Sequence, residues 1–335
     1  MQVVPFCELG LADVALVGGK SAHLGDLTQA GFPVPPGFAV TASAFEAVVQ
    51  RHVDELLAGI DTEDVAALER KAEHVRAVVE SLDVPQEIAA AVADGYRGLG
   101  DGLAVAVRSS AVAEDAADAS FAGMQSTYLW LRGADDVLAG VRRCWASYFN
   151  AEALAYRAQR GGAAGMSVAV QAMVDARVAG VMFTLNPVTG DPASIAIDAS
   201  YGLGVTVVGG DVTPDSYLFS KVTRELVRTA IGAKEVECVA GPEGAGTVAR
   251  EVEAERRGRP CLEPNEVARL AELGRSVERH YGRPQDIEWA IDRSGEIQLL
   301  QARPETVWAQ KRKVAVAQSP LAAIASTYTG GNPAR

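Results

Sequence analysis

Two short segments near the C-terminal end constrain the fold most strongly. Residues 285–291 (QDIEWAI) and 296–304 (EIQLLQARP) alternate polar and apolar side chains with the two-residue period of β-strands. The residues between them, DRSG at 292–295, have the composition of a tight turn. We therefore predict a β-hairpin in this part of the chain.

The predicted hairpin brings three polar side chains together. Glu288 lies between apolar neighbours in the first strand, and Gln301 and Arg303 alternate with Leu300 and Ala302 in the second. A carboxylate, an amide and a guanidinium suit a divalent metal with a polyphosphate, because the oxygens bind the ion and the planar guanidinium binds a phosphate. A solvent-facing polar edge fits the same residues, and the hairpin alone does not separate the two interpretations.

Composition limits the class of protein. The chain has 335 residues, of which 48% are hydrophobic and 22% charged, which predicts an ordered protein of two lobes or domains. The net charge of −12 has no basic segment to offset it and argues against a nucleic-acid partner. An acidic protein that binds an anion must concentrate its few cations at the binding site, so single Lys and Arg residues become informative.

Cysteines and apolar runs indicate the compartment. The four cysteines are scattered without a CxxC pair, so neither a zinc cluster nor a disulfide framework is indicated. No signal-peptide pattern opens the sequence, and no apolar run reaches membrane-spanning length. We expect a cytoplasmic protein without a membrane partner.

A Gly18-Gly19-Lys20-Ser21 segment is predicted to open a helix over residues 21–30. It is not a Walker A loop, because Val14 stands where that motif requires glycine. Free backbone N–H groups and the Lys20 ammonium could still bind phosphate. An ordinary turn with a solvated lysine is the alternative.

Arg108 is the last residue of a buried-type strand over residues 103–108. An arginine at the end of such a strand needs an anionic partner. The partner is either a phosphate or a nearby carboxylate, Glu114 or Asp115.

Two further segments could contact a ligand. Residues 120–127 (SFAGMQST) are small enough for their backbone amides to approach an anion. Residues 170–174 (VQAMV) are either a plain core strand or the wall of a purine pocket formed by Met173 and exposed backbone groups.

Taken together and in this order, the segments resemble the N-terminal nucleotide-binding domain of phosphoenolpyruvate synthase, pyruvate phosphate dikinase and rifampin phosphotransferase. The resemblance extends over residues 1 to about 306 and includes the motifs GFPVPPGF at 31–38, GVMFT at 180–184 and QARP at 301–304. It implies an α+β fold of the ATP-grasp type, with the nucleotide cleft between two lobes. We expect an N-terminal lobe at 1–182, a C-terminal lobe at 183–306, and a tail or linker at 307–335.

The resemblance also implies roles for the charged residues. Lys20 and Arg108 would contact the phosphates of ATP, and Arg303 would bind its distal phosphates, which makes these three the expected catalytic residues. Glu288 and Gln301 would hold Mg²⁺ against the polyphosphate.

The remaining expected contacts concern the base and a covering loop. Gln171 and Met173 would line the adenine pocket. The loop over the phosphates would consist of five consecutive residues: Gly123, Met124, Gln125, Ser126 and Thr127.

The chain departs from the family pattern at one position of the expected site. The family has an acidic residue after Gly-Leu-Gly, whereas Val205 follows Gly202-Leu203-Gly204 here. Its role would be missing or taken by Asp198 or Asp211.

The second departure concerns histidine. Full-length members carry a phosphorylated histidine in a Thr-Ser-His-type motif, and none of the four histidines here has that context. We therefore expect the phosphohistidine and the acceptor site on a separate subunit or domain.

Three functions follow from this expectation. The first is the ATP-binding subunit of a two-component aryl-phosphate synthase, which phosphorylates a phenolic compound with release of AMP and phosphate. The second is the ATP-binding part of a phosphoenolpyruvate synthase or an antibiotic phosphotransferase. The third is a nucleotide-binding module without catalytic activity.

Overall fold

Two antiparallel sheets, of five and six strands, organise the chain. The structure is a computed structural model that describes residues 2–50, 52, 64–111, 126–151, 154, 165–244, 246–306 and 308. Helices cover both sheets, so the predicted α+β fold is confirmed, with the hairpin of residues 285–304 at one edge of the second sheet.

The first sheet has the strand order β1-β2-β5-β3-β4. Its strands are β1 (Val3–Pro5), β2 (Gly37–Val40), β3 (Val105–Ala111), β4 (Thr127–Leu131) and β5 (Met166–Ala172). Every residue of β5 is buried, as expected of a central strand with the continuous apolar composition MSVAVQA.

The second sheet has the strand order β13-β12-β6-β7-β8-β9, and a separate two-stranded ribbon pairs β10 with β11. The strands are β6 (Ala176–Phe183), β7 (Ser194–Tyr201), β8 (Asp215–Ser220), β9 (Leu226–Ala230), β10 (Val236–Ala240), β11 (Thr247–Glu251), β12 (Gln285–Asp292) and β13 (Ile297–Pro304). The chain crosses from the first sheet to the second at residues 173–175. That crossing lies before the domain boundary predicted at 182/183, which falls at the end of β6.

Helices of the described residues flank the two sheets. They are α1 (Val14–Gln29), α2 (Ala42–Phe45), α3 (Val65–Ser81), α4 (Gln86–Leu99), α5 (Ala134–Ser147), α6 (Val205–Val208), α7 (Ala254–Arg257) and α8 (Pro264–Tyr281). The ends of α8 follow from sequence: Glu263 and Glu266 form a capping box, and Gly282 ends the helix in the left-handed conformation. No helix in this described part combines the length and apolar character needed to cross a bilayer.

Each sheet has its own core, and the lobes also pack together. Side chains of α3, α4 and α5 bury one face of the first sheet, and α8 buries one face of the second. A smaller apolar cluster joins the lobes and includes Trp130 of β4, Ala179 of β6 and Ala290 of β12. The loop after α1 covers the outer edge of β13, where the Leu299 N–H donates to the Pro33 carbonyl at 2.7 Å.

Candidate functional site

A cavity lies between the two lobes and is lined by both sheets. Most of the lining is apolar. Its polar side chains are Arg108, Thr127, Gln171 and Glu288. The remaining lining residues come from β3 to β6, the crossing segment, the α6 region and the hairpin: Ala106, Leu129, Ala172, Met173, Val174, Ala176, Ala179, Gly180, Leu203, Gly204, Val205, Val208, Trp289, Ala290 and Leu300.

An ion pair between Arg108 and Glu288 joins the lobes across this cavity. Arg108 Nη2 donates to Glu288 Oε2, and Arg108 Nη1 donates to the Leu300 carbonyl at 3.0 Å. Only 12% of the Arg108 side chain and 22% of the Glu288 side chain are exposed. Two predicted site residues 180 positions apart in sequence therefore meet. The alternative partners Glu114 and Asp115 lie outside the described residues.

The pKa of Glu288 is influenced by all three cations that the sequence predicts to bind phosphate. Burial alone would raise the pKa of Glu288, but Arg108, Lys20 and Arg303 together hold that pKa below its ordinary value. The carboxylate is therefore ionised at neutral pH, within electrostatic reach of three cations.

Lys20 is a buried residue and not a solvated turn lysine. It is 5% exposed, and its Nζ donates to the Ser109 carbonyl at 2.9 Å. Ser109 is the next residue after Arg108 in β3, so this bond places the ammonium beside the Arg108 strand. The Lys20 charge also contributes to the lowered pKa of Glu288, so the buried ammonium lies in the electrostatic environment of that carboxylate.

A backbone break at Gly18 sets the position of Lys20. Gly18 has φ +70° inside the helical span of α1, a conformation that favours glycine. It packs directly on β3, where a Cβ atom at Gly18 would lie 2.5 Å from the Ser110 carbonyl oxygen. Ser110 Oγ also donates to the Val17 carbonyl at 2.9 Å. The glycine thus allows the Lys20 turn to approach β3 closely.

Substituting Gly18→Ala is expected to destabilise the fold by about 2–4 kcal/mol, because the new methyl group meets backbone atoms and φ stays positive. Gly31→Ala is the matched control, since Gly31 has φ +79° with open space around its Cβ position. It should cost only about 1 kcal/mol. Urea unfolding of both variants measures the difference, and equal losses would show that the contact with Ser110 is unimportant.

A β-bulge opposite Glu288 changes the face of the hairpin on which Leu300 lies. Glu288 pairs with Gln301, but Trp289 pairs with Leu299, so Leu300 is the extra residue. Leu299 and Ala302 lie in the core beneath α8, whereas Leu300 packs with the cluster between the lobes. The predicted alternation, which placed Leu300 on the side of Ala302, is therefore wrong at this residue.

Gln301 and Glu288 fit a magnesium ion. They face each other across the β12–β13 ladder, and Gln301 Oε1 is buried without a hydrogen-bond partner. Mg²⁺ binds hard oxygen donors and takes one or two protein ligands together with phosphates and water. A carboxylate and an amide oxygen without a hydrogen-bond partner, on adjacent strands, meet that requirement. Among the described residues no group of three or more His, Cys, Asp or Glu could hold a metal.

Arg303 contacts a carboxylate that the sequence analysis did not single out. Arg303 Nε and Nη2 lie 2.9 and 2.8 Å from Asp286 Oδ2. Burial raises the pKa of Asp286, and Arg303 opposes that rise. Asp286 stands two positions before Glu288 in the same strand, so the strand period could have identified it.

The predicted base-binding residues line the cavity. Gln171 is buried, and its Nε2 donates to the Pro35 carbonyl at 3.4 Å. Met173 lies in the crossing segment, and its N–H donates to the Ala104 carbonyl at 2.9 Å. Both residues also line the apolar part of the cavity, where a planar base could be enclosed.

The predicted phosphate-covering loop is described only at its end. Gly123, Met124 and Gln125 lie outside the described residues. The Ser126 N–H donates to Ser109 Oγ at 2.9 Å, and Thr127 is the first residue of β4 rather than a loop residue. Thr127 lines the cavity opposite Arg108 in the β3–β4 ladder.

Val205 lines the cavity, and neither proposed substitute does. Asp198 accepts a hydrogen bond from Ser216 Oγ in the second sheet, and Asp211 lies beyond α6. The cavity wall at this position is apolar, with Val205 and Val208 both partly exposed.

Two lobes around a largely apolar cavity, with a buried arginine and a buried carboxylate on its wall, are typical of a domain that binds a small ligand. The sequence matches the family described as pyruvate phosphate dikinase, AMP/ATP-binding domain, over residues 14–321. The chain belongs to this family, and the resemblance that implied an ATP-grasp-type fold is confirmed.

Relatives and solved structures are similar to the chain to different degrees. A probable phosphoenolpyruvate synthase from Methanothermobacter thermautotrophicus is 45% identical over 314 residues, covering 90% of this chain and 45% of the relative. A rifampicin phosphotransferase from a Streptomyces species is 40% identical over 313 residues, covering 91% and 36%. This chain thus spans less than half the length of either relative. The crystal structure of the D-cycloserine synthetase DcsG is 14% identical, covers 88% of this chain and 63% of its own, and has a TM-score of 0.28, too low to support an argument.

Proposed function

We propose that this chain binds Mg²⁺–ATP between its lobes and transfers a phosphoryl group from it to a histidine on a separate subunit or domain. The observation that carries the proposal is the Arg108–Glu288 ion pair across the cavity between the lobes, with Lys20 bonded to the next residue of the Arg108 strand and Arg303 in the strand paired with that of Glu288. A polyphosphate bound there would meet three cations. Phosphoryl transfer depends mainly on such charge neutralisation and on positioning.

The proposed site residues would bind different parts of Mg²⁺–ATP. Lys20 and Arg108 would neutralise phosphates near the first sheet, and Arg303 would bind the distal phosphates. Glu288 and Gln301 would hold Mg²⁺, which supplies further charge neutralisation when bound. Because Arg108 is paired with Glu288 in the structure, nucleotide binding would exchange this ion pair for an arginine–phosphate and a carboxylate–metal contact.

Three of the four histidines of this chain make hydrogen bonds within it. His23 is buried against the Gly19 carbonyl, His52 contacts the Val48 carbonyl, and His280 contacts Asp26. His74 lies on α3, far in sequence from the site residues. A phosphoryl acceptor on another subunit or domain fits these observations. Transfer of the β,γ-pyrophosphoryl group of ATP to that histidine would release AMP, and hydrolysis of its terminal phosphoryl group by water would release phosphate and leave one phosphoryl group on the histidine.

Two enzyme classes, with different final acceptors, are candidates. A phenolic compound fits the expectation of a two-component aryl-phosphate synthase. Pyruvate or an antibiotic is favoured by the relatives, whose names are phosphoenolpyruvate synthase and rifampicin phosphotransferase. The apolar wall at Val205 is compatible with a third possibility, a domain that binds nucleotide without catalysis.

The proposal is tested by incubating the chain with ATP, Mg²⁺ and a histidine-domain protein from the same genome. We expect formation of AMP, and loss of that activity in Arg303→Ala. Saturation at 100 times Kd should also raise the unfolding free energy by about 2.7 kcal/mol. Nucleotide binding without AMP formation would favour the non-catalytic module, and absence of both would refute the proposal.

A further inference from the structure

The hairpin carries two carboxylates on one face, and their partners differ. Glu288 in β12 pairs with Arg108 of the other lobe, whereas Asp286 pairs with Arg303 directly opposite in β13. The first pair depends on how the lobes are arranged. The second pair lies within one β-ladder and is independent of the lobes.

The contact between Asp286 and Arg303 restrains the guanidinium. Both Nε and Nη2 lie within 2.9 Å of the same oxygen, Oδ2, so the plane of the guanidinium is set by two contacts. Asp286 itself is held by the strand, and its side chain is only 15% exposed. A fixed carboxylate thus orients a side chain that is 53% exposed.

Burial of the Asp286 carboxylate explains why the ion pair with Arg303 should persist when a ligand binds. A buried carboxylate is costly without a counter-charge, and Arg303 is the partner that the ladder supplies. Release of Arg303 to a phosphate would leave Asp286 uncompensated, so the arginine is expected to bind phosphate while keeping Asp286. Arginine has five N–H donors in a rigid plane, which permits contact with two anions at once.

We propose that Asp286 is a positioning residue that holds Arg303 in the orientation that binds the distal phosphates of the nucleotide. This inference rests on the proposed function. It assigns Asp286 no contact with the nucleotide. Its effect is restricted to the phosphates that Arg303 reaches, because pre-orientation reduces the ordering cost of that contact alone.

The test compares ATP with AMP, which lacks the β and γ phosphates. Isothermal titration calorimetry should show that Asp286→Ala weakens ATP binding by about tenfold, the effect of a 1.4 kcal/mol change, and leaves AMP binding unchanged. Asp286→Asn keeps one amide oxygen as an acceptor and should give an intermediate loss. Arg303→Ala should match or exceed Asp286→Ala, and the double variant should lose no more than Arg303→Ala.

Asp94→Ala is the matched control, because Asp94 forms an exposed ion pair with Arg97 on α4 away from the cavity. It should leave both affinities unchanged. Equal losses of ATP and AMP binding in Asp286→Ala, or additive effects in the double variant, would overturn the positioning role and leave the proposed function intact. If the unmodified chain bound neither nucleotide, both proposals would be refuted.

Discussion

Glu288→Gln is expected to uncouple magnesium binding from ATP binding. In the structure the Glu288 carboxylate is buried and compensated by Arg108. When a phosphate takes Arg108, the carboxylate needs another cation, and Mg²⁺ meets that need. Glutamine has no charge to compensate, so Mg²⁺ should then strengthen ATP binding much less than in the unmodified chain.

We expect a large coupling between the binding of Mg²⁺ and the binding of ATP. Coupling free energies between two ligands are typically about 1–3 kcal/mol, or about 5- to 150-fold in affinity. We expect Mg²⁺ to strengthen ATP binding by a factor in that range in the unmodified chain, and by a factor about ten times smaller in Glu288→Gln, from loss of about 1.4 kcal/mol. AMP formation with a histidine-domain partner should fall by about 10²–10³, the usual effect of removing one group that stabilises charge.

Calorimetry with ATP in the presence of Mg²⁺ or of a chelator measures this ratio directly. Glu272→Gln is a suitable control, because Glu272 forms a partly exposed pair with Arg275 on α8. An unchanged ratio in Glu288→Gln would show that the metal is held by other groups, and would remove Glu288 from the proposed metal site.

The hairpin shows what sequence periodicity can and cannot predict. The two strands, their turn and the shared face of Glu288 and Gln301 follow from an alternation that the residues display. The bulge at Leu300 does not, because an extra residue in a ladder depends on the partner strand and leaves no mark in its own composition. The same period also places Asp286 on the face of Glu288.

Contacts between distant residues were harder to predict. The sequence indicated that Arg108 needs an anion, but the choice of Glu288 depends on how two sheets pack, which no local pattern records. The crossing between the two sheets illustrates the same limit. β5 and β6 are both apolar runs separated by three residues, so the composition does not reveal that one belongs to each sheet.

Lys234 lies in an environment that its residue type does not predict. Lysines are almost never fully buried, yet the Lys234 and Asp215 side chains are both 0% exposed. Lys234 Nζ donates to Asp215 Oδ1, to the Gly232 carbonyl at 3.0 Å and to the Arg257 carbonyl at 2.9 Å. These three acceptors match the three donors of an ammonium group. The pair joins β8, the segment before β10, and α7.

Lys234→Met should therefore destabilise the second lobe by about 3–5 kcal/mol, because Asp215 would remain buried as an uncompensated charge. Asp215 also accepts backbone N–H bonds from Gly232 and Cys261, so its carboxylate cannot turn away without breaking them. Arg97→Ala, which breaks an exposed pair, should cost at most about 1 kcal/mol.

The double variant Asp215→Asn/Lys234→Met separates the charge effect from lost packing. If the uncompensated charge dominates, the double variant should lose clearly less free energy of unfolding than the sum of the two single variants. Additive losses in urea unfolding would instead mean that each side chain acts through its own hydrogen bonds. The ribbon also supports the cavity wall, since the Leu203 N–H donates to the Cys238 carbonyl at 2.8 Å. A Lys234→Met protein that remains folded should consequently bind ATP more weakly, because the pair anchors the ribbon on which that wall rests.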